Sequence, residues 1–254
     1  MKLAIITITY NGFPWLPCVF AELNRSELDW HYFVVEGLSN NGGSTRWCKP
    51  QAAGPPSTDG SHEFLKSIGS HSRVRHHWKT LWPSKDAMVN WPIEEGLIPD
   101  DCVLMQIDSD ELHSARQLRD IVTLFEINPK LMRAEFRCSY FVGPDLYLSG
   151  DDDKNTWLRA WRYRKGMRFD SHEPPVLSGN KGEGIEACMT EAMGLRFDHM
   201  AWVTEEQVRF KSEFYGYTGG LAGWKALQQH KKFPVEARHY LTWMIPGTMV
   251  NKLP

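Results

Sequence analysis

The sequence has 254 residues, with 29 lysines and arginines against 31 aspartates and glutamates, which gives a formal net charge of −2. Hydrophobic residues make up 42% of the chain, enough to build the core of one large or two small domains, and this composition excludes a disordered chain. The near-neutral charge excludes a uniformly basic nucleic-acid-binding protein but allows a local basic face. Eleven tryptophans exceed what a core of this size needs, so we expect some of them to contact a flat ligand.

The cysteines and the start of the chain bear on the compartment. Five cysteines without a Cys-x-x-Cys pair indicate neither a zinc ribbon nor a disulfide framework, so we expect reduced thiols in a cytoplasmic protein. The first residues are apolar and β-branched but lack a small-residue cleavage site, which predicts a strand instead of a signal peptide. No apolar run approaches about 18 residues, so we expect no membrane span.

The first part of the chain alternates predicted strands and helices. Leu3–Thr9 is a continuous β-branched run, typical of a parallel strand that is covered on both faces, and a short helical pattern follows it. His31–Val35 predicts a second strand, which ends in Glu36–Gly37. A loop over about 38–61 exceeds the usual connection of about 2–6 residues, so we expect it to be functional or mobile.

The next elements lead to a second buried strand of the same type. Residues 73–79 predict a short strand, polar on one side, and Ser84 is the expected N-cap of a helix that runs to Trp91. Cys102–Ile107 predicts a buried strand, and Ala115–Ile127 has apolar residues at helical spacing. This alternation predicts an α/β fold with a parallel sheet.

The second half of the chain changes in character. Residues 133–142 and 157–169 alternate between apolar and polar, as antiparallel or edge strands do, and the acidic stretch 150–153 separates them. Residues 204–215 begin with a capping-box pattern and predict a helix. The chain from residue 219 onward has no clear pattern.

The strongest functional signal is a pair of carboxylates, Asp108 and Asp110, directly after the strand Cys102–Ile107. Ligands of open parallel sheets bind beyond the carboxyl ends of the strands. Two carboxylates one residue apart can present oxygen atoms to one Mg²⁺ or Mn²⁺ ion, which can neutralise a diphosphate leaving group. A lone pair of this kind is more often a helix cap beside an exposed carboxylate, and the strand context favours the metal.

The ends of the first two strands predict a nucleoside site. Thr9, Tyr10 and Asn11 follow the first strand, and Glu36 and Gly37 end the second. Adjacent parallel strands open side by side, so a carboxylate there could accept hydrogen bonds from a ribose or a base. Taken alone, Glu36 is equally well explained as a solvent-facing turn residue. The chain has no Gly-x-Gly-x-x-Gly after the first strand and no P-loop, which disfavours a dinucleotide site and excludes P-loop enzymes.

A basic and aromatic stretch, Trp157–Glu173, is the third signal. Most of its side chains fit a solvated strand face above an apolar underside. Trp161 and Arg162 could still flank a diphosphate or an acceptor ring. Glu173, beside His172 and ahead of two prolines, is a candidate general base.

In order and spacing, these features resemble the family 2 glycosyltransferases and their relatives of the GT-A fold, from residue 3 to about residue 217. The corresponding elements are Thr9–Asn11, Glu36, Lys85 with Ala87 and Asn90, Asp108 with Asp110 and Glu111, Arg159–Glu173, and His199 ahead of Lys211. Two features depart from the family pattern. The second strand ends in Glu-Gly-Leu-Ser-Asn-Asn instead of an Asp-Asp/Gly-Ser-x-Asp sequence, and the Pro- and Gly-rich insertion at 50–61 has no counterpart.

The resemblance implies a single GT-A (Rossmann-like) α/β domain, with a central, mostly parallel mixed sheet flanked by helices. We expect a catalytic domain over residues 1–217, with a nucleotide-binding half at 1–112 and an acceptor half at 113–217. A C-terminal extension at 218–254 is expected to pack on it.

The resemblance also implies an activity. It implies transfer of a sugar from a nucleoside diphosphate, UDP being the expected nucleotide, to an acceptor hydroxyl with inversion. Mn²⁺ or Mg²⁺ would be the cofactor, held by Asp108, Asp110 and His199. The nucleotide would contact Thr9, Tyr10, Asn11, Glu36, Gly37, Lys85, Asn90 and Asp108.

The remaining roles concern the acceptor. Glu173 would remove the proton of the acceptor hydroxyl, with Asp170 as the second candidate and Asp152 or Asp153 as a third. The acceptor itself would contact Trp161, Arg162, His172 and Trp202. Other tryptophans near these elements in sequence, Trp78, Trp82, Trp91 and Trp157, are further candidates for an acceptor cleft. The tryptophans expected to be core or packing residues are Trp30, Trp47, Trp224 and Trp243.

Several alternatives stay open at this stage. The acceptor could be a glycan, a lipid-linked sugar, a protein or a modified nucleic acid in a bacterium or a phage-infected cell. The basic stretches 73–79 and 157–168 could follow a phosphate backbone, so glycosylation of a hydroxymethylated base in phage-type DNA is one alternative. A sugar-nucleotide nucleotidyltransferase, a metallohydrolase and a carbohydrate-binding module are others. The first would usually carry a Gly-rich basic loop after the first strand, and the second would need a metal-ligand spacing that this sequence lacks.

Overall fold

Seven strands form the central sheet of the protein in a computed structural model that describes residues 1–150 and 155–254. In chain order the elements are β1 (Lys2–Thr9), α1 (Trp15–Arg25), β2 (Trp30–Ser39), α2 (Ser61–Ile68), β3 (Val74–Trp82), α3 (Lys85–Glu94), β4 (Cys102–Gln106), β5 (Glu111–Leu112), α4 (Ala115–Ile127), β6 (Leu131–Phe136), β7 (Cys138–Tyr140), β8 (Leu146–Ser149), β9 (Trp157–Tyr163), β10 (Phe169–His172), β11 (Pro175–Leu177), β12 (Glu183–Ile185), α5 (Ala187–Ala192), β13 (Phe197–His199), α6 (Glu205–Tyr215), α7 (Gly220–Gln228), β14 (Val235–Glu236) and β15 (Met249–Lys252). Short 3₁₀ helices cover Gly43–Thr45 and Ala237–His239.

The strand order in the central sheet is β12-β6-β9-β4-β1-β2-β3. The four strands β3, β2, β1 and β4 run parallel, whereas β9 is antiparallel to both of its neighbours, β4 and β6. The sheet is therefore mixed and mostly parallel. This confirms the predicted fold class, a single α/β domain with such a sheet between helices.

The sheet is covered on both faces because its inner strands carry unbroken apolar runs. In β1 every residue after Lys2 is buried. Successive side chains of a strand point to opposite faces. Leu3 and Ile5 accordingly pack with α1 and α4 in one core, and Ala4 and Ile6 pack with α3 in the other. Full burial of a leucine or isoleucine side chain stabilises the fold by about 1.5–3 kcal/mol, so the continuous run in β1 anchors the sheet.

The predicted helix starts are confirmed by their caps. The Ser84 hydroxyl accepts a hydrogen bond from the backbone N–H of Ala87 at 3.1 Å, and α3 begins at the next residue. Thr204 caps α6 in the same way, accepting from the N–H of Gln207 at 3.2 Å. These bonds satisfy N–H groups that the first helical turn leaves without a partner. The helix α4 spans the predicted residues Ala115–Ile127.

The strand β2 was predicted to end in Glu36–Gly37, but it continues to Ser39. Its register against β3 shifts between Glu36 and Leu38, which marks a bulge. Gly37 has a φ of +138°, and a Cβ atom there would collide with the carbonyl oxygen of Lys79. Only glycine adopts this conformation at such a close approach. Glu36 therefore lies inside the strand, with a buried side chain, and not on a solvent-facing turn.

Replacing Gly37 with alanine should destabilise the protein by about 3 kcal/mol, because overpacking against the Lys79 carbonyl adds to the strain of a positive φ. Urea unfolding followed by circular dichroism measures this loss. The matched control is Gly96→Ala, where φ is +66° and nothing lies within 4 Å of the added Cβ. There we expect a loss of only about 1 kcal/mol, the cost of a left-handed backbone for a residue with a Cβ. Equal losses in the two variants would contradict the collision at Gly37.

Three further regions can be compared with expectation. The segment 38–61, expected to be a loop, contains a 3₁₀ helix and leads into α2, which no sequence pattern predicted. The strand β9 is antiparallel to β4 and β6, one of the two expected placements, and it lies in the interior of the sheet. In the last part of the chain, β15 pairs with β8, and Trp224 and Val250 share an apolar core with Val208 of α6. The division of the chain at residue 217 stays a prediction.

Two further features are the state of the cysteines and the length of the helices. All five cysteines are free thiols, three of them buried. Among the helices of residues 1–150 and 155–254, none combines the length and the apolar character needed to cross a bilayer.

Candidate functional site

A cavity of about 780 Å³ opens at the carboxyl ends of β1, β2 and β4. Its other walls come from the start of β9, the turn between β10 and β11, the end of β13, and α6. Ligand sites in parallel sheets lie at this edge, and pockets of about 300–1,000 Å³ hold small organic ligands. The cavity is therefore the candidate functional site.

Most of the predicted site residues line this cavity, although they are far apart in the sequence. They are Thr9, Tyr10, Asn11, Gly37, Lys85, Asp108, Asp110, His172, Glu173, His199 and Trp202. The predicted residues that do not line it are Glu36, Asn90, Trp161, Arg162 and Asp170. Asp152 and Asp153, the third choice for a base, lie outside the residues that the structure describes.

A hydrogen bond from Gln106 and an ion pair with Arg159 hold the carboxylate of Asp108 in place. Its Oδ1 accepts a hydrogen bond from Gln106 Nε2 at 3.2 Å, and its Oδ2 lies 3.5 Å from Arg159 Nη2. Arg159 is itself fixed by two bonds to the buried carboxylate of Glu111, at 2.6 and 2.8 Å. Burial alone would raise the pKa of Asp108, but the guanidinium of Arg159, with help from Lys85, outweighs it and holds that pKa below its usual value. Asp108 therefore presents an ionised carboxylate to the cavity.

Asp110 lies between a lysine and a histidine. Its Oδ2 accepts hydrogen bonds from Lys211 Nζ at 2.7 Å and from Gln207 Nε2 at 2.9 Å. Its Oδ1 lies 3.7 Å from His199 Nε2, too far for a hydrogen bond. Burial opposes ionisation of Asp110, but the ammonium of Lys211 outweighs it and lowers the pKa of this carboxyl.

The donor set of this wall fits a divalent cation. Burial lowers the pKa of His199 to about 4, so its imidazole is neutral near pH 7, as a metal ligand must be. Oδ1 of Asp110 and Nε2 of His199 lie 3.7 Å apart without a hydrogen bond, and Asp108 lines the same cavity, although the ligand atoms of the three residues are not all within 4.8 Å of one another. Two carboxylates and one imidazole suit Mn²⁺ well and Mg²⁺ less well.

Glu173 lies on the turn between β10 and β11, and its side chain is exposed to the cavity. The hydroxyl of Ser44 accepts from the backbone N–H of Glu173 at 3.2 Å, and Asp86 Oδ1 accepts from that of His172 at 2.8 Å. Because Asp86 also bonds Ser44, the 3₁₀ helix and α3 together fix this turn. Enclosure by the cavity walls raises the pKa of Glu173, and Lys85 opposes the rise.

His172 and Asp170 precede Glu173 on β10, and they differ in access to the cavity. His172 is buried, lines the cavity, and has an Nδ1 without a hydrogen-bond partner among the described residues. Burial lowers its pKa to about 3, so it is neutral near pH 7. Asp170 is exposed and lies outside the cavity lining. We therefore correct the prediction of Asp170 as the second candidate base.

The 50–61 insertion covers the end of β1. The backbone N–H of Asn11 donates to Ser57 Oγ at 3.1 Å, and Asn11 Oδ1 accepts from the N–H of Thr58 at 2.9 Å. Tyr10 packs against Phe210 of α6, with ring centroids 5.7 Å apart. The predicted nucleoside end of the cavity is thus framed by the insertion on one side and by α6 on the other.

Glu36 and Asn90 are corrected, because both have structural partners. The Glu36 carboxylate is fully buried and accepts from the N–H of Ser57 at 2.9 Å, and it bonds the imidazoles of His62 and His76. It is not free to contact a ribose or a base. The Asn90 amide makes two 2.8 Å bonds with the backbone of Phe169, joining α3 to β10.

Trp161 and Arg162, predicted to contact the acceptor, are also corrected. Trp161 is 1% exposed and packs edge-on against Phe169 in the core. The guanidinium of Arg162 is buried and donates to backbone carbonyls, among them that of Leu131 at 3.1 Å. Both side chains are enclosed because β9 is an interior strand with both of its faces covered. Trp202, by contrast, lines the cavity, and its Nε1 donates to the Tyr140 hydroxyl at 2.9 Å.

The aromatic wall of the cavity differs from the predicted one. Trp47, expected to be a packing residue, is 51% exposed, lines the cavity and stacks on Tyr215 with centroids 5.3 Å apart. Trp157 lines the cavity as expected. Trp82, a candidate for the acceptor cleft, is buried, and its Nε1 donates to the Glu36 carbonyl at 2.9 Å. The remaining candidates, Trp78 and Trp91, lie outside the cavity lining.

Sequence reasoning missed most of the contribution of α6 to the site. Gln207, Lys211 and Tyr215 follow one another at intervals of four residues and all line the cavity. That spacing places side chains on one helical face. Two of these residues hold Asp110, and Tyr215 accepts a hydrogen bond from Lys85 Nζ at 3.2 Å. The polar and aromatic residues at this spacing were a signal that could have indicated a ligand-facing helix.

Neither a protein-family model nor a curated protein matches the sequence. Among solved structures, residues 1–349 of S. aureus TarS in complex with UDP-GlcNAc match with a TM-score of 0.40 and 14% identity, over 56% of this chain and 35% of that one. The mannosyltransferase PcManGT from Pyrobaculum calidifontis, in complex with GDP-Man and Mn²⁺, matches with a TM-score of 0.49 and 13% identity, over 91% of this chain and 65% of that one. The chain thus spans less than two thirds of the length of either structure.

Proposed function

We propose that the protein is a metal-dependent glycosyltransferase, which moves a sugar from a nucleoside diphosphate to an acceptor hydroxyl with inversion. The observation that carries this proposal is a cavity lined by Asp108, Asp110, His199 and Glu173, in which Asp110 Oδ1 lies 3.7 Å from His199 Nε2. Such a site combines a place for a diphosphate with a candidate base. Its position at the carboxyl ends of β1, β2 and β4 matches the general position of ligands in parallel sheets.

The donor would lie between the ends of β1 and β4. A divalent cation held by Asp108, Asp110 and His199 would neutralise the negative charge that develops on the leaving diphosphate. Lys85 adds a fixed positive charge, because the nearby Tyr215, Glu173 and Asp108 outweigh its burial and raise its pKa. Tyr10 would contact the nucleoside.

Glu173 would act on the acceptor. Its raised pKa makes it a stronger base than an ordinary glutamate. It would take the proton of the acceptor hydroxyl as the oxygen attacks the anomeric carbon on the face opposite the leaving group. Ser44 and Asp86 would hold the backbone of this turn during the reaction.

Donor turnover tests the proposal directly. UDP-GlcNAc and GDP-mannose, the ligands of the two similar structures, are incubated with the protein, Mn²⁺ and a panel of acceptors, and products are read by mass spectrometry. We expect Mn²⁺-dependent release of a nucleoside diphosphate together with a glycosylated product. Binding of free sugars without any nucleotide dependence would instead support a carbohydrate-binding module. Turnover that survives complete chelation would remove the role of the metal.

The aromatic wall favours an acceptor with a flat ring. Trp47 and Tyr215 form a stacked pair on the lining of the cavity, which suits the face of a sugar or a base. The stretch 157–168 supports a nucleic-acid acceptor less than its sequence suggested, because Arg159 and Arg162 are buried. A glycan or another sugar-bearing molecule is therefore the preferred acceptor class.

Replacing Trp47 with alanine should raise the KM for the acceptor by about 2–12-fold, the equivalent of an aromatic contact of about 0.5–1.5 kcal/mol. Donor affinity and thermal stability should change little, because the side chain is half exposed. Trp47→Phe is the matched control and should keep most of the affinity. Initial rates over a range of acceptor concentrations measure the effect. An unchanged acceptor KM in Trp47→Ala would place the acceptor elsewhere.

A further inference from the structure

A second group of potential metal ligands lies outside the cavity lining. Glu36 of β2, His62 of α2 and His76 of β3 each direct one ligand atom toward a common point, and these atoms all lie within 4.8 Å of one another. From this geometry we infer that Glu36, His62 and His76 form a zinc site, separate from the carboxylate pair in the cavity. The site would fasten α2 and the preceding insertion to the sheet.

Both imidazoles of this group contact the same carboxylate oxygen of Glu36. Nδ1 of His62 lies 2.8 Å from Glu36 Oε2, and Nε2 of His76 lies 2.7 Å from the same oxygen. Without a metal, both imidazoles donate to this oxygen. A tetrahedral Zn²⁺ with bonds of about 2.0–2.1 Å separates its ligands by roughly 3.4 Å. Each imidazole nitrogen would therefore have to move away from Glu36 Oε2 by only about 0.6–0.7 Å.

The surroundings suit a bound cation. Glu36 is fully buried, and the side chains of His62 and His76 are 12% and 11% exposed. The bonds from His76, His62 and Ser57 compensate for the burial of the Glu36 carboxylate and lower its pKa. When zinc binds, each neutral imidazole carries its proton on the other ring nitrogen.

The ligand types select the metal. Two imidazoles and one carboxylate are a known zinc set, which leaves a fourth position for water. Mg²⁺ instead prefers oxygen ligands in octahedral geometry. The cavity wall of Asp108 and Asp110 offers mainly oxygen atoms, so the two sites differ in their ligands. Because Glu36 lies outside the cavity lining, zinc bound there would not displace the cation proposed for the reaction.

The position of the site indicates a structural role. Its ligands come from β2, from the edge strand β3 and from α2, which follows the 50–61 insertion. Glu36 Oε1 also accepts from the N–H of Ser57, whose hydroxyl accepts from the N–H of Asn11 at the cavity. Zinc would join three elements that are otherwise held by hydrogen bonds. It would thereby fix the insertion that frames the nucleoside end of the cavity.

Cobalt titration tests the site without any activity assay. The full-length protein is stripped with a chelator and titrated with Co²⁺, whose visible absorption reports nitrogen ligands and tetrahedral geometry, and Zn²⁺ is then added as competitor. We expect one equivalent of Co²⁺ to bind with tetrahedral bands, which Zn²⁺ removes. We also expect Zn²⁺ to raise the Tm of the stripped protein, since it binds the folded state. Absence of these bands in the wild-type protein would overturn the proposal.

Variants assign the site to its residues. His62→Gln, His76→Gln and Glu36→Gln should each weaken Co²⁺ binding by at least about tenfold and remove the Zn²⁺-dependent rise in Tm. His239→Gln is the matched control, because His239 is 67% exposed and also lies near a glutamate, Glu236. Its Co²⁺ spectrum should equal that of the wild type. Circular dichroism checks that each variant is folded.

A cavity variant separates the two metal sites. Asp110→Asn combined with His199→Gln should leave the tetrahedral Co²⁺ bands unchanged. Bands that persist in His62→Gln and His76→Gln but disappear in the cavity variant would place the nitrogen-rich site in the cavity and overturn the proposal. Because the probe is the metal alone, failure of this test leaves the proposed transferase activity unaffected.

Discussion

Replacing Glu173 with glutamine should reduce the rate of sugar transfer by about 10²–10⁴-fold, the usual contribution of a general base. Glutamine keeps the size of the side chain but cannot accept the proton of the acceptor hydroxyl. Donor affinity should be unchanged, because no donor contact is assigned to this side chain. Single-turnover rates, combined with calorimetric donor binding, separate the two effects.

The pH dependence gives an independent check on Glu173. Enclosure raises its pKa above the ordinary value of a glutamate, and the base is active only when ionised. Activity should therefore fall as the pH decreases through this raised pKa, at a higher pH than for an exposed glutamate. The Glu173→Gln variant should lack this acidic limb.

Asp170→Asn is the matched control for Glu173, because Asp170 precedes Glu173 by three residues, on β10, but lies outside the cavity lining. We expect its rate and pH profile to match the wild type. Unchanged turnover in Glu173→Gln with loss of turnover in Asp170→Asn would contradict the assignment of the base.

Replacing Asp110 with asparagine should reduce kcat by about 10²–10³-fold, as expected when one electrostatic contact to a developing negative charge is lost. Mn²⁺ should no longer stimulate the residual activity, because one of its proposed carboxylate ligands is gone. The variant also leaves the ammonium of Lys211 without its 2.7 Å partner, so some loss of stability is expected. Steady-state rates over a Mn²⁺ series, with thermal melting, measure both effects.

The variant Lys211→Met distinguishes the role of the lysine beside Asp110 from that of the proposed Mn²⁺ ion. It removes the ammonium but keeps the carboxylate, so Mn²⁺ stimulation should persist. If the wild-type protein is instead independent of Mn²⁺ and Lys211→Met is inactive, the lysine supplies the positive charge itself. That outcome would contradict the metal site of Asp108, Asp110 and His199.

The elements that follow from local sequence were predicted well. The apolar run of β1, the cap of α3 and the spacing of α4 depend on residues close together in the chain, and all three are confirmed. Asp108 and Asp110 were predicted to face a ligand beyond the carboxyl end of β4, and both line the cavity there. Local patterns sufficed because each of these features is decided by its immediate neighbours.

Features decided by distant residues could not be predicted from such patterns. Arg162 belongs to a strand with alternating polarity, but the positions of β4 and β6 on either side of that strand enclose it. Glu36 was expected to face a nucleoside, whereas His62 and His76 converge on it from later elements. Trp47 carries no local signal that distinguishes an exposed cavity residue from a packed one. Each of these outcomes depends on which segments meet in the fold.

Nucleotide binding by calorimetry tests the central claim most directly. UDP and GDP are titrated into the protein with and without Mn²⁺. The same titrations are made with the Asp108→Asn variant, whose folding is checked separately. We expect one nucleotide to bind in the presence of Mn²⁺, and its affinity to fall at least about tenfold without the metal or in the variant. Failure of both nucleotides to bind at any Mn²⁺ concentration, with the protein folded, would contradict a nucleotide-sugar site in the cavity.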